Sequence, residues 1–127
     1  MLTWDDEPDT DPQIDEEHHK LYRMMGRLEP VILDGHRHET VERAIRRLRQ
    51  RMVQHFEMEE ELATTGDAGS VAILHDDHRA ILEILARLDG LAGADSDTRR
   101  RVFSEFLQAL ATHDTAVDVP LFRMAMH

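Results

Sequence analysis

The stretch VERAIRRLRQRMVQHFEMEEEL, residues 41–62, decides how this chain folds. Its apolar residues recur at alternating spacings of three and four, which is the pattern of a helix with one buried face. That face consists of Val41, Ile45, Leu48, Met52, His55, Glu59 and Leu62. A histidine and a glutamate therefore occupy positions at which a helix bundle usually buries leucine.

Three further segments have the same periodicity, and short stretches of helix-breaking residues separate the four. The expected helices cover about 12–34, 39–63, 70–91 and 97–118. No segment alternates apolar and polar residues over a useful length, so no strands are expected. Four helices with short connections predict an all-α fold, an antiparallel up-down four-helix bundle with a short C-terminal tail. The length of 127 residues suits a single domain, residues 1–127.

Composition excludes several classes of function. The net charge of -11 argues against nucleic-acid binding, because phosphate recognition needs a basic surface. The chain has no cysteine, which excludes disulfides and iron–sulfur clusters. No apolar stretch approaches the roughly 20 residues that cross a bilayer, and the acidic N-terminus lacks the features of a signal peptide. We therefore expect a cytoplasmic protein that binds neither nucleic acid nor membrane.

The other three helices also place a histidine on the apolar face. These residues are His18 in the first helix, His78 in the third and His113 in the fourth. An unpaired polar group in a core costs several kcal/mol, a large share of the roughly 5–15 kcal/mol that stabilises a whole domain. Something must therefore compensate for these side chains.

The expected topology brings these histidines to one end of the bundle. His18 and His78 lie near the beginnings of the first and third helices, whereas His55 and His113 lie near the ends of the second and fourth. Two carboxylates and one more histidine lie at the same depth. The candidate metal ligands are His18, His55, Glu59, His75, His78, His113 and Asp118. His19 points roughly 100° away from His18 around the helix and is expected to lie outside the site.

Imidazole and carboxylate ligands without thiolate suit iron, manganese or zinc. Two carboxylates from different helices can bridge two metal ions. Five imidazoles divided three and two between the ions then leave one coordination position open, at which a small molecule can bind. A site of this composition predicts a metalloprotein with a small ligand.

These residues resemble the hemerythrin family and its single-domain bacterial relatives over nearly the whole chain. The resemblance begins with Trp4 and the segment 13–22, which contains Ile-Asp-Glu-Glu-His at 14–18. It continues with His55-Phe56 and Glu59, the pair His75 and His78, and His113 followed five residues later by Asp118.

The resemblance implies a role for each ligand. Two iron ions, as Fe²⁺ or Fe³⁺ with a bridging oxo or hydroxo group, would form the cofactor, and Glu59 and Asp118 would bridge them. His18 and His55 would hold one iron and leave a position open for dioxygen or another small diatomic or peroxide ligand. The other iron would be held by His78, His113 and a further histidine of the third helix. Leu110 would line the oxygen pocket.

One spacing departs from the family pattern. The family usually places its histidines in the third helix four residues apart, but His75 and His78 are three apart and Leu74 occupies the position four before His78. Both spacings can face one site, so we expect His75 to be a ligand. If it is not, Asp77 or solvent replaces it, or the second iron has an open position that favours peroxide or NO chemistry.

The implied function is oxygen binding, as a carrier, a store or a sensor, rather than catalysis. Alternatives are a di-iron enzyme acting on peroxide, O₂ or NO, and an oxygen-responsive or redox-responsive signalling module that acts on an unknown partner protein. A ferritin-like di-iron enzyme is disfavoured, because its Glu-x-x-His pattern occurs only at Glu16 and His19, off the apolar face. A structural zinc site is disfavoured because such sites are coordinatively closed.

Overall fold

Four helices follow one another in the computed structural model of the chain. They are α1 (Pro12–Asp34), α2 (His38–Ala63), α3 (Ala68–Asp89) and α4 (Ser96–His113). The structure describes residues 12–63 and 68–114, and the side chains of 16–62 and 72–114. None of these residues lies in a strand, which confirms the predicted all-α fold. The predicted C-terminal tail lies outside the described residues.

The helices form a ring in the order of the chain. Each helix packs against the next one along the chain, and α1 also packs against α4. This arrangement with short connections is the predicted up-down four-helix bundle. The largest side chains that are almost completely buried include Phe56, Phe106, Leu21, Ile45 and Leu85. None of the helices in the described part of the chain is long and apolar enough to cross a lipid bilayer.

Arg99 links the two helix connections at one end of the bundle by hydrogen bonds. This residue of α4 is only 6% exposed, and its guanidinium donates hydrogen bonds to backbone carbonyls of both helix connections at that end. Nη1 donates to Ala92 and Ala94 at 3.2 Å each. Nη2 donates to Leu33 at 3.4 Å and to Gly35 at 3.0 Å. The connection between α1 and α2 is thereby tied to the connection between α3 and α4.

Gly35 makes the turn between α1 and α2 possible. Its N–H donates to the carbonyl of Val31 at 3.0 Å, which closes the last turn of α1. A Cβ atom at this position would collide with that carbonyl oxygen and lie 2.8 Å from Cγ2 of Val41. A side chain here would therefore push the start of α2 away from α1.

Candidate metal centre

The five polar side chains that the sequence places on apolar faces meet at the end of the bundle opposite Arg99. His18 on α1, His55 and Glu59 on α2, His78 on α3 and His113 on α4 are each exposed by no more than 2%. They meet there because α1 and α3 begin at the end of the bundle where α2 and α4 finish. Each helix thus contributes one imidazole to the same buried layer.

Glu59 lies at the centre of this layer and divides its two carboxylate oxygens between two pairs of imidazoles. Oε1 lies 3.7 Å from Nε2 of His18 and is in close contact with Nε2 of His55. Oε2 lies 3.3 Å from Nε2 of His78 and 3.3 Å from Nε2 of His113. One carboxylate therefore faces four imidazole nitrogens, two on each oxygen.

Two groups of three potential ligands result. The first group is His18, His55 and Glu59, and the second group is Glu59, His78 and His113. Within each group the potential ligand atoms lie within 4.8 Å of one another, and every member is buried. Either group could hold a metal ion, and Glu59 belongs to both.

The electrostatics of the layer keep its carboxylate ionised. Burial alone would raise the pKa of Glu59, but the surrounding imidazoles of His55, His113 and His78 hold this pKa well below its usual range. Burial alone would likewise lower the pKa of His55, but the carboxylates of Glu59 and Glu17 raise it on balance. A negatively charged oxygen among buried ring nitrogens favours the binding of a cation, because the cation compensates the buried charge.

Aromatic packing holds the imidazole planes. Phe56 stacks on His78 with ring centroids 3.9 Å apart and planes 11° apart, and its ring lies edge-on to His113. His18 and His55 meet in a T-shaped arrangement at 4.4 Å, and so do His78 and His113 at 4.8 Å. The apolar ring of Phe56 fills space beside the second group and excludes water from it.

Glu17 is a partner of the site that sequence reasoning did not single out. Its Oε1 lies 3.5 Å from Nδ1 of His55, and it also forms an ion pair with Arg51. The contact with His55, together with that of Arg51, lowers the pKa of Glu17 to about 2, against the opposing effect of burial. The only sequence signal for it is its place beside His18 in the segment 14–18.

His75 lies apart from the other predicted ligands. Its side chain is 58% exposed, and Nδ1 lies 2.5 Å from Oε1 of Glu60 rather than near Glu59. Leu74, four residues before His78, is fully buried. Asp77, the alternative ligand considered above, contacts Nδ1 of His113, the ring nitrogen that faces away from Glu59.

Of the two remaining predicted site residues, the structure describes Leu110 but not Asp118. Leu110 is fully buried on α4, one turn before His113. Asp118 lies outside the described residues.

Asp114, which sequence reasoning missed, is 3% exposed and places Oδ1 3.4 Å from Nε2 of His18. Asp114 follows His113 directly and falls between the apolar positions of the fourth helix, so the periodicity gave no signal for it.

Comparison with known protein families agrees with this geometry. The family model described as the hemerythrin HHE cation-binding domain matches residues 9–125, nearly the whole chain. No curated protein and no solved structure matches the chain. The matched span contains all four helices and both groups of potential ligands. The chain therefore belongs to the hemerythrin family, as an HHE cation-binding domain.

Proposed function

We propose that this protein holds two iron ions in the buried layer and uses them to bind dioxygen, as a carrier, a store or a sensor. The observation that carries the proposal is the division of the Glu59 oxygens between two imidazole pairs. A carboxylate in this position can bridge two metal ions, each with its own imidazoles. A cytoplasmic location and a small diatomic or peroxide ligand, rather than nucleic acid or membrane, belong to the same proposal.

The donor set fits iron. Imidazole nitrogens with carboxylate oxygens and no thiolate are ligands that ferrous and ferric iron accept. Iron ions bound here would supply the electrons that dioxygen binding requires. The hemerythrin resemblance further assigns Asp118 as a second bridging carboxylate. Asp114, which directly follows α4, already brings a carboxylate to within 3.4 Å of Nε2 of His18, so the C-terminal end of α4 adjoins the first group.

The chain provides an apolar surround for such a site. Leu110 and Phe56 are exposed by no more than 1%, and they come from different helices. Apolar side chains beside a metal centre limit the access of water and lower the local dielectric constant. This environment favours reversible binding of a small apolar molecule, because water and protons that would convert the bound molecule are kept away.

A specific observation also favours the second candidate function, a di-iron enzyme acting on peroxide, O₂ or NO. The second group contains two imidazoles, His78 and His113, whereas His75 faces solvent. A metal ion held there would have more open coordination positions than the hemerythrin pattern provides. Open positions on both ions allow a substrate to bind and react rather than only to bind and leave.

Metal analysis and a visible spectrum test the proposal. We expect about two irons per chain, and we expect the reduced protein to gain a visible absorption on exposure to air and lose it when oxygen is removed. Rapid oxidation without a reversible oxygenated form would favour the enzyme. A protein that contains mainly zinc, or less than one iron per chain, would contradict the di-iron proposal.

A pair of variants tests the central position of Glu59. Glu59→Ala should abolish binding of both irons, because the residue belongs to both groups. His19→Ala is the control, since this histidine is only partly buried and belongs to neither group. Iron content is the measurement. Equal losses in the two variants would show that the ligand of α1 has been assigned to the wrong histidine.

A further inference from the structure

Three of the four buried imidazoles have a carboxylate on each side. Nε2 of His55, His78 and His113 faces Glu59, as described above. The opposite nitrogen, Nδ1, faces a second carboxylate that belongs to neither metal group. Nδ1 of His55 lies 3.5 Å from Oε1 of Glu17, and Nδ1 of His78 lies 3.6 Å from Oε2 of Glu60. Nδ1 of His113 is hydrogen-bonded to Oδ2 of Asp77.

These outer carboxylates follow a regular order in the bundle. Glu17 on α1 faces the histidine of α2, and Glu60 on α2 faces the histidine of α3. Asp77 on α3 faces the histidine of α4. Each outer carboxylate thus comes from the preceding helix and reaches across one helix interface to the next imidazole.

Two of the outer carboxylates are themselves held by a cation or a donor at the surface. Arg51 forms an ion pair with Glu17. The exposed ring of His75 lies 2.5 Å from Oε1 of Glu60, while the other oxygen of Glu60 faces His78. His75 therefore contacts the same carboxylate that faces His78.

Metal binding makes specific demands on an imidazole. A ring that binds a metal through Nε2 must carry its proton on Nδ1, and a carboxylate that accepts a hydrogen bond from Nδ1 selects this tautomer and fixes the plane of the ring. The same hydrogen bond makes Nε2 a stronger donor to the metal. Hydrogen bonds at functional sites are often long or poorly aligned in the unliganded state and tighten when the ligand binds.

We propose that Glu17, Glu60 and Asp77 are positioning residues of the metal centre, each accepting a hydrogen bond from Nδ1 of one ligand histidine and directing its Nε2 to the metal. Glu17 acts on the first group through His55. Glu60 and Asp77 act on the second group through His78 and His113. The inference rests on the proposed metal centre, and it assigns each outer carboxylate to one of the two metal ions.

The test is a titration of the metal-free full-length protein with Co²⁺, whose visible d–d absorption reports the geometry of its ligands. The variants are Glu17→Gln, Glu60→Gln and Asp77→Asn, which preserve shape and remove the charge. Matched controls on the same helices are Glu16→Gln, Glu57→Gln and Asp76→Asn, all at exposed positions. Circular dichroism of each metal-free variant establishes that the bundle is folded.

We expect each control variant to bind two Co²⁺ ions with the same affinities as the wild type. Glu17→Gln should weaken one site by about 10–100-fold and leave the other unchanged, and Asp77→Asn and Glu60→Gln should weaken the other site by a similar factor. At saturation the d–d bands of the affected site should shift. Asp77→Glu and Glu17→Asp, which restore a carboxylate, should recover part of the affinity.

The outcomes separate this inference from the proposed function. Binding of two Co²⁺ ions by the wild type, with variants indistinguishable from their controls, would overturn the positioning role and leave the metal centre intact. Weaker binding with unshifted d–d bands would also overturn it, because a change of stability alone explains that result. A wild type that binds no Co²⁺ would overturn both.

Discussion

At the scale of single residues, α3 presents His78 rather than His75 to the buried layer. Residues four apart on a helix are offset by about 40° around its axis, and residues three apart by about 60° in the opposite sense. Leu74 is fully buried four residues before His78, and His75 is turned outward, with its side chain 58% exposed. The histidine spacing of α3 therefore brings His78, and not His75, to the layer.

The position of His75 leads to a prediction about metal content. His75→Ala should retain two metal ions per chain, because this residue belongs to neither ligand group. His78→Ala, three residues later on the same helix, should reduce the content to about one, because the second group loses half of its imidazoles. Elemental analysis after dialysis measures both. Loss of a metal ion from the His75 variant alone would show that His75 moves inward when metal binds.

The sequence predicted that five buried residues would meet, but it did not single out Glu17 or Glu60 and considered Asp77 only as a possible ligand. Periodicity identifies side chains on the apolar face of one helix, so it found His18, His55, Glu59, His78 and His113. It carries no information on which side chains reach across to the next helix. Glu17 and Asp77 lie beside the apolar faces, where carboxylates normally face water, so only the packed bundle reveals their contacts with imidazoles.

At the scale of helices, the starts and ends were predictable only approximately. The third helix was expected to cover about 70–91, but α3 covers Ala68–Asp89. At its far end Gly90 and the residues after it form a turn, and α4 begins where Asp95 accepts a hydrogen bond from the N–H of Thr98 at 2.8 Å. Several polar and small residues near this turn could serve as caps, so local propensity alone does not choose among them.

The connections between helices depend on Arg99, and this dependence is testable. Arg99→Met should lower the free energy of unfolding by about 2–4 kcal/mol, because carbonyls of both connections lose a buried charged donor. Arg100→Met is the control, since its exposed guanidinium makes one ion pair, with Asp34. Urea denaturation of the metal-free protein measures the difference. Equal effects of the two substitutions would mean that Arg99 does not fasten the connections.

At the scale of the whole molecule, the two ends of the bundle are stabilised in different ways. One end is fastened by Arg99 and its backbone acceptors, while the other contains four buried imidazoles around one buried carboxylate. Polar groups in this number destabilise a core unless they are paired, and a metal ion would add a partner for the ring nitrogens and for Glu59. Stability at the imidazole end is therefore expected to depend on metal, and the Arg99 end should hold the helices in register when metal is absent.

This division predicts opposite dependences on pH for the stability of the metal-free protein and for the additional stability that metal provides. The pKa of His55 is raised above its ordinary value of 6.5, so its contribution to stability is present below pH 6.5 and is lost as the pH rises through the higher value. Metal requires neutral imidazoles, so the increase in Tm that metal causes should grow over the same pH range. At a free metal concentration of about 100 times Kd, one site stabilises the fold by about 2.7 kcal/mol.

Thermal melts between about pH 6 and about pH 8, with and without Co²⁺, measure both trends. Glu59→Ala is the control and should lose the metal-induced increase at every pH, whereas a wild-type increase that shrinks as the pH rises would contradict ligation by imidazole.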